Sequence, residues 1–302
     1  MSVIECIGNT PIVSIESINP NPKVRLYAKL EGNNPGGSIK DRIALFMIEA
    51  AEKEGKLTRD KIILEATSGN TGIGLAMVAS AKRYRVKLTM PACVSIERRR
   101  VLEAFGAELI LSPANEGTDG AIRLAHAILA EDPDRYFMPN QFDNVVNAQA
   151  HYETTGREVI EQTKGRITHL VAGMGTTGTL MGIARRLKEF NKDITIVGVE
   201  PIMGHRIQGL KNMSESIVPK IFDPDLLDER AIVNDDEAFD TTRKLALQEG
   251  IFVGMSSGAA MHVAIRKSSE LREGCIVVIL PDRGDRYLST SLFTSVCSKC
   301  PP

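Results

Sequence analysis

The chain alternates short runs of β-branched residues with longer stretches in which apolar residues recur every three to four positions. This alternation predicts an α/β fold with a largely parallel sheet. We predict strands at 24–30, 61–66, 86–90, 107–111, 168–172, 194–199 and 275–280. We predict helices at 39–55, 71–83, 96–105, 117–131, 145–163, 179–190, 237–249 and 259–270.

Two regions interrupt this rhythm. Residues 132–144 are rich in turn formers and lie in mid-chain, which predicts a crossover between two domains. Residues 201–230 lack a clear period and contain Gly204, Gly209 and Pro219. Long loops inside compact domains are often functional, so we expect this one to border the functional site.

The charge of the chain is almost balanced, with 37 basic and 38 acidic residues among 302. This balance argues against binding to nucleic acid or to an anionic membrane. No apolar run is long enough for a membrane span, and the residues after Met1 do not resemble a signal peptide. We therefore predict a soluble cytoplasmic protein. Of the five cysteines, Cys297 and Cys300 form a C-x-x-C pair without a second pair nearby, so we predict no metal site there.

The first candidate for chemistry is Lys40, which follows a glycine turn and opens a predicted helix. The free N–H groups and the dipole at a helix start favour anions, and Ser38 is the predicted N-cap. A lysine at this position has its positive charge destabilised, so its amine is easier to deprotonate and suits Schiff-base chemistry. The alternative is a solvated lysine facing Asp41 or Glu49.

The second candidate is the segment Thr67-Ser68-Gly69-Asn70-Thr71-Gly72, between a predicted strand and a predicted helix. Its short polar side chains leave backbone N–H groups uncovered and add donors beside them. These features indicate a binding nest for a carboxylate or a phosphate. The alternative is an ordinary polar helix cap.

The third candidate is Gly173-Met174-Gly175-Thr176-Thr177-Gly178-Thr179, which again joins a strand to a helix. Its glycine spacing fits the dinucleotide fingerprint, with Glu200 as the ribose-binding acid. The three threonines favour a terminal phosphate instead, because a phosphate dianion can accept bonds from several hydroxyls. Both interpretations stay open at this point.

The fourth candidate is Gly254-Met255-Ser256-Ser257-Gly258, at another predicted helix start. Ser256 or Ser257 can offer one neutral hydrogen bond to a flat ring, or can simply cap the helix. Together the four segments supply an amine nucleophile, a carboxylate nest, a phosphate cradle and a hydroxyl for a ring nitrogen. Ligands bind at the carboxyl edge of parallel sheets, and this set of groups matches pyridoxal 5′-phosphate (PLP) with an amino acid.

In the order and spacing of these segments the chain resembles the cysteine synthase (O-acetylserine/O-phosphoserine sulfhydrylase) branch of the fold-type II PLP enzymes. The second, B-type cysteine synthase is the nearest type. The resemblance runs nearly end to end. It is carried by Gly8-Asn9-Thr10-Pro11, Asn34-Pro35-Gly36-Gly37-Ser38-Ile39-Lys40-Asp41-Arg42, Thr67-Ser68-Gly69-Asn70-Thr71-Gly72, Gly175–Thr179, Ser256-Ser257-Gly258 and Asp282-Arg283-Gly284-Asp285.

The resemblance implies two open, mostly parallel sheets flanked by helices, as in the tryptophan synthase β-like fold. It implies a larger domain at 1–37 plus 146–302 and a smaller, mobile domain at 38–145. It also implies a role for each site residue. Lys40 carries the cofactor, Asn70 bonds its ring hydroxyl, Gly175, Thr176, Thr177, Gly178 and Thr179 hold its phosphate, Ser256 bonds its pyridine nitrogen, and Thr67, Ser68, Asn70, Thr71 and Gln141 bind the substrate carboxylate.

Two departures from the family pattern concern the substrates. Thr177 replaces a glycine of the commoner phosphate loop, as in B-type enzymes, which leaves the sulfur donor open. Lys211 stands where relatives that use O-phosphoserine have an arginine, and lysine lacks the bidentate fork of arginine. Lys211 is therefore either a contact for the substrate phosphate or an exposed loop residue.

The resulting hypothesis is a transferase that makes L-cysteine from O-acetyl- or O-phospho-L-serine. Lys40 removes the α-proton, the β-substituent leaves to give an α-aminoacrylate, and sulfide, thiosulfate or a protein thiocarboxylate adds. The resemblance implies a homodimer, with serine acetyltransferase or a sulfur-carrier protein as partner. The alternatives are a cystathionine β-synthase using homocysteine, a serine or threonine dehydratase, and a nicotinamide-dependent oxidoreductase.

Overall fold

The structure of the protein, a computed structural model, describes residues 2–67, 69–94, 96–215 and 218–294. Within these ranges strands and helices alternate as the sequence pattern predicts. The strands are β1 (Ile12–Ser14), β2 (Val24–Leu30), β3 (Ile62–Ala66), β4 (Arg85–Pro91), β5 (Glu108–Ser112), β6 (Tyr136–Phe137), β7 (His169–Gly173), β8 (Thr195–Pro201), β9 (Glu229–Val233) and β10 (Gly274–Leu280). The helices are α1 (Lys40–Lys53), α2 (Asn70–Lys82), α3 (Ile96–Ala104), α4 (Gly117–Glu131), α5 (Val145–Glu153), α6 (Thr155–Gln162), α7 (Gly178–Phe190), α8 (Asp235–Glu249), α9 (Met255–Glu270) and α10 (Ser291–Thr294).

The chain packs into two compact units. The smaller comprises Met1–Ile7 and Asn34–Asn147, and the larger comprises Gly8–Asn33 and Ala148–Pro302. The predicted division instead placed both chain ends in the larger domain. The start of the chain belongs to the smaller unit because Ile7 packs against the apolar core of that unit. The mobility of the smaller unit stays a prediction.

Each unit is built on one sheet. The smaller unit has a parallel four-stranded sheet in the order β5-β4-β3-β6. The larger unit has a six-stranded sheet in the order β1-β2-β10-β7-β8-β9, parallel except for the β1–β2 pair. Strands such as β3 and β10 are buried along nearly their whole length because helices cover both faces. The predicted fold class, with two mostly parallel sheets flanked by helices, is confirmed.

One predicted helix differs from the structure, and three strands of the structure were not predicted. The single helix predicted at 145–163 is two helices, which meet at Thr154, where the backbone is distorted from ideal helical values (φ −112°, ψ −78°). Strand β9 ends the region predicted as an irregular loop at 201–230, and β6 lies within the predicted crossover at 132–144. Strand β1 was also missed, since two- and three-residue strands leave little periodic signal.

In the part of the chain that the structure describes, no helix is long and apolar enough to cross a membrane.

Candidate active site

Lys40 is the first residue of α1, as the sequence predicts. The N-cap position is Ile39 and not Ser38, which corrects that prediction. Ser38 nevertheless bonds the first turn, because its Oγ accepts the Lys40 N–H at 3.2 Å. The lysine is half-buried at a helix start that favours anions.

The glycine turn before Lys40 is anchored by the next residue in the helix. Asp41 is fully buried, and its carboxylate accepts the Gly36 N–H at 2.5 Å. Glu49, the other acid considered for Lys40, pairs with Lys82 at 3.2 Å. Both of these carboxylates therefore have other partners in the structure.

Helix α2 packs closely against the start of α1. A methyl group on Gly74 would lie only 3.0 Å from the Lys40 carbonyl oxygen, so glycine at this position permits the close approach of the two helices. Asn70, the first residue of α2, lies one helical turn before Gly74. The packing therefore sets Lys40 beside the α2 end that carries Asn70.

The predicted carboxylate nest is assembled within the smaller unit. Thr67 and Thr71 are largely buried, and the Thr71 hydroxyl donates to Gln141 Oε1 at 2.6 Å. The structure thus brings Gln141 to the loop from 70 residues further along the chain. Ser68, which we predicted as a member of this site, lies outside the described residues.

The 175–179 segment joins β7 to α7 in the larger unit, as predicted. Thr177 has a left-handed backbone (φ 65°), which is unusual for a β-branched residue. Its hydroxyl is buried and has no hydrogen-bond partner within the described residues. Unpartnered buried hydroxyls and left-handed β-branched residues are both costly and concentrate at functional sites.

Ser256 lies close to this loop through Gly209. A methyl group on Gly175 would lie 2.5 Å from the Gly209 carbonyl oxygen, and one on Gly209 would lie 3.6 Å from Ser256 Oγ. Helix α9 begins at Met255 with Gly254 as its N-cap. Ser256 is therefore not a cap, which removes the simpler alternative. Lys211 is placed in the same region, since its N–H donates to the Met174 carbonyl oxygen at 2.8 Å.

Glu200 bears on the dinucleotide alternative. Its Oε1 pairs with Arg230 at 2.8 Å, and its Oε2 accepts the Met213 N–H at 3.2 Å. Both carboxylate oxygens thus hold the protein together, which argues against a role in ribose binding.

Residues 3–282 match the protein family described as "Pyridoxal-phosphate dependent enzyme". This chain belongs to the family of pyridoxal-phosphate-dependent enzymes. It is 46% identical to the cysteine synthase of Aquifex aeolicus over 97% of this chain and 92% of that protein. It is 47% identical to cysteine synthase B of Salmonella typhimurium over 96% of this chain and 95% of that protein. The crystal structure of O-acetyl serine sulfhydrylase isoform 3 from Entamoeba histolytica superposes with a TM-score of 0.92, at 36% identity, over 97% of this chain and 91% of that one.

The residues of this PLP-dependent enzyme fit a bound phosphate at the 175–179 segment. A helix starts there, the approach of Gly209 to Gly175 leaves no room for a side chain, and the Thr177 hydroxyl lacks a protein partner within the described residues. Helix starts with free N–H groups bind phosphate. PLP carries such a dianion.

Two residues of this PLP-dependent enzyme near the predicted site were missed from the sequence. His151 is fully buried on α5, and its ring nitrogens lie 3.2 Å from Thr179 Oγ1 and 3.0 Å from Thr155 Oγ1. A single histidine on an amphipathic helix carries no distinctive signal. Glu65 is 3% exposed, and burial raises its pKa to about 8. Glu65 could have been found from the sequence, because it is the one acidic residue in the otherwise apolar strand β3.

Proposed function

We propose that this protein makes L-cysteine by PLP-dependent β-replacement of O-acetyl-L-serine or O-phospho-L-serine with a sulfur donor. The observation that carries the proposal is the placement of Lys40 at the start of α1, packed against α2, whose first turn carries Asn70 and Thr71. The extended similarity to cysteine synthases supports the same assignment.

Each site residue has a role in this proposal. Lys40 attaches the cofactor covalently, and its freed amine removes the proton from the substrate Cα as a general base. Gly175, Thr176, Thr177, Gly178 and Thr179 hold the cofactor phosphate, Asn70 bonds the ring hydroxyl, Ser256 bonds the pyridine nitrogen, and Thr67, Ser68, Asn70, Thr71 and Gln141 receive the substrate carboxylate.

When bound, PLP supplies an electron sink for the charge that develops at Cα, so that the β-substituent can leave. The neutral hydroxyl of Ser256 suits this outcome, because a carboxylate at that position would stabilise a protonated ring nitrogen and strengthen the sink. A weaker sink favours departure of the β-substituent over transamination.

The partners and location belong to the same proposal. We infer a homodimer in the cytoplasm, with serine acetyltransferase or a sulfur-carrier protein as a partner. Cys6, Cys93 and Cys275 are free thiols in the described part of the chain, which agrees with a reducing compartment.

The proposal is tested with the purified holoenzyme. O-acetylserine or O-phosphoserine is supplied with sulfide, thiosulfate or homocysteine, and the products are identified by mass spectrometry. L-cysteine as the main product supports the proposal. Cystathionine as the main product from homocysteine, or a keto acid without a sulfur product, would contradict it.

Substitution of Lys211 tests whether the enzyme recognises the phosphate of O-phosphoserine. If its ammonium group contacts the substrate phosphate, we expect Lys211→Ala to lower kcat/KM for O-phosphoserine about tenfold, since one hydrogen bond to a charged group is lost. The value for O-acetylserine should change less than twofold. Equal effects on both esters, or none on either, would eliminate the phosphate contact.

Thr177 gives a prediction about cofactor affinity. Thr177→Gly removes a hydroxyl bond to a dianion, and such bonds contribute about 1.5–3 kcal/mol, so PLP should bind roughly 10- to 150-fold more weakly. The same change relieves a left-handed backbone strain of about 1–2 kcal/mol, which should raise the melting temperature of the apoprotein.

Thr177→Ser is the matched control, because it keeps the hydroxyl and should keep the affinity within about threefold of wild type. The measurements are a fluorescence titration with PLP and thermal unfolding of the apoprotein. A less stable apoprotein with unchanged PLP affinity would show that Thr177 serves packing alone.

A further inference from the structure

A buried acid beside the carboxylate nest has no role in the proposed reaction. Glu65 is the fourth residue of β3 and is 3% exposed. Burial of a carboxyl group is costly unless hydrogen bonds compensate. Burial raises the pKa of Glu65 to about 8, and bonds from the Asn140 and Gln141 N–H groups act in the opposite direction.

The register of the sheet explains this contact. Strands β3 and β6 are parallel, with Ile63 opposite Phe137. If this register is extended by two residues in each strand direction, Glu65 lies opposite Pro139, the residue before Asn140. Glu65 Oε2 accepts the Asn140 N–H at 2.8 Å.

Asn140 begins the turn that follows β6. Its backbone is left-handed (φ 51°), a conformation in which asparagine is enriched. The Asn140 carbonyl oxygen accepts the Asn144 N–H at 3.0 Å, so the turn closes directly after the Glu65 contact.

Gln141, the next residue of this turn, is held by two hydrogen bonds. The Gln141 carbonyl oxygen accepts Asn147 Nδ2 at 2.7 Å, and its side-chain Oε1 accepts the Thr71 hydroxyl at 2.6 Å. All three residues are at least nine-tenths buried. With Oε1 occupied, the remaining groups on the Gln141 side chain are the two donors of Nε2, which suit a carboxylate ligand.

We propose that Glu65 is a positioning residue for substrate recognition: it anchors the Asn140–Gln141 turn so that the Nε2 donors of Gln141, whose Oε1 is held by the Thr71 hydroxyl, are presented to the α-carboxylate of the amino-acid substrate. This inference rests on the proposed function, in which the 67–71 loop and Gln141 receive that carboxylate. It assigns to Glu65 no contact with the substrate itself.

The test compares Glu65→Leu with Glu65→Gln in the holoenzyme. Leucine has a similar size but offers no acceptor, whereas glutamine keeps one acceptor oxygen for the turn. We expect Glu65→Leu to raise KM for O-acetylserine about tenfold, with kcat and the KM for sulfide changed less than twofold. Glu65→Gln should restore KM to within about threefold of wild type.

A double-mutant cycle between Glu65 and Gln141 distinguishes a positioning role of Glu65 from a general role in packing. If Glu65 acts through Gln141, Glu65→Leu should add less than twofold to KM in a Gln141→Ala background. Multiplicative effects of the two changes, an unchanged KM in Glu65→Leu, or an equal fall in kcat would each overturn the inference. If Glu65→Leu does not fold, Glu65→Ala is measured in its place with the same expectations, since water can then reach the two N–H groups.

Different results would contradict the proposed function and the role of Glu65. A wild-type protein that does not bind PLP, or that forms no cysteine, contradicts the proposed function. A wild-type protein that forms cysteine while Glu65→Leu keeps its substrate KM contradicts only the role of Glu65.

Discussion

Replacing Lys40 with alanine is expected to abolish covalent attachment of PLP and to reduce cysteine formation at least 10²–10⁴-fold, the usual contribution of a positioned general base. Lys40 begins α1 beside the start of α2, and we propose that its amine attaches the cofactor and moves the Cα proton. Alanine is well tolerated at helix starts of this kind, so the fold should persist.

The measurement is borohydride reduction of the holoenzyme followed by peptide mapping, together with steady-state rates. Lys40→Arg keeps the charge but supplies no nucleophilic amine, so it should be as inactive as Lys40→Ala. Lys56→Ala is the matched control, because the Lys56 side chain is 68% exposed and pairs with Glu54 on the surface. A pyridoxyl label on a peptide other than the one containing Lys40 would contradict the proposal that Lys40 attaches PLP.

Gly175→Ala is expected to weaken PLP binding by at least about 100-fold, since displacement of the loop removes more than one hydrogen bond to the phosphate dianion. The added methyl group would lie 2.5 Å from the Gly209 carbonyl oxygen. Backbone faces backbone at this contact, so neither side can rotate away and the 175–179 segment must move. Overpacking of this kind also destabilises a protein by about 1–3 kcal/mol.

Gly173→Ala, two residues earlier in the chain at the end of β7, is the matched control. A methyl group there would also lie 2.5 Å from its nearest neighbour, but that atom is Leu210 Cδ2, the end of a flexible side chain. We expect its PLP affinity to stay within about fivefold of wild type, because a rotamer change costs only about 1 kcal/mol. Equal losses of PLP affinity in both variants, measured by titration of the apoproteins, would show that the Gly209 contact is not the cause.

For some elements, the local sequence pattern predicts both end residues correctly. Strand β2 and helix α4 have the predicted bounds, because a β-branched run and a three-to-four-residue apolar period each end at turn-forming residues. Strand β9 was missed because Glu229 and Arg230 look like loop residues. Only Ala231 and Val233 of this strand are buried, as expected for a strand at the edge of a sheet.

Local sequence pattern was enough to predict the alternating fold class and the residue types that point to PLP chemistry: a lysine after a glycine turn, and hydroxyl-rich segments at helix starts. These features are local, since backbone preference and side-chain chemistry act over a few residues. The supporting contacts could be found only in the folded chain: Glu65 bonds the Asn140 N–H across 75 positions, and His151 contacts Thr179 across 28. Such contacts depend on strand register and on helix packing, which join residues that no short stretch of sequence contains together.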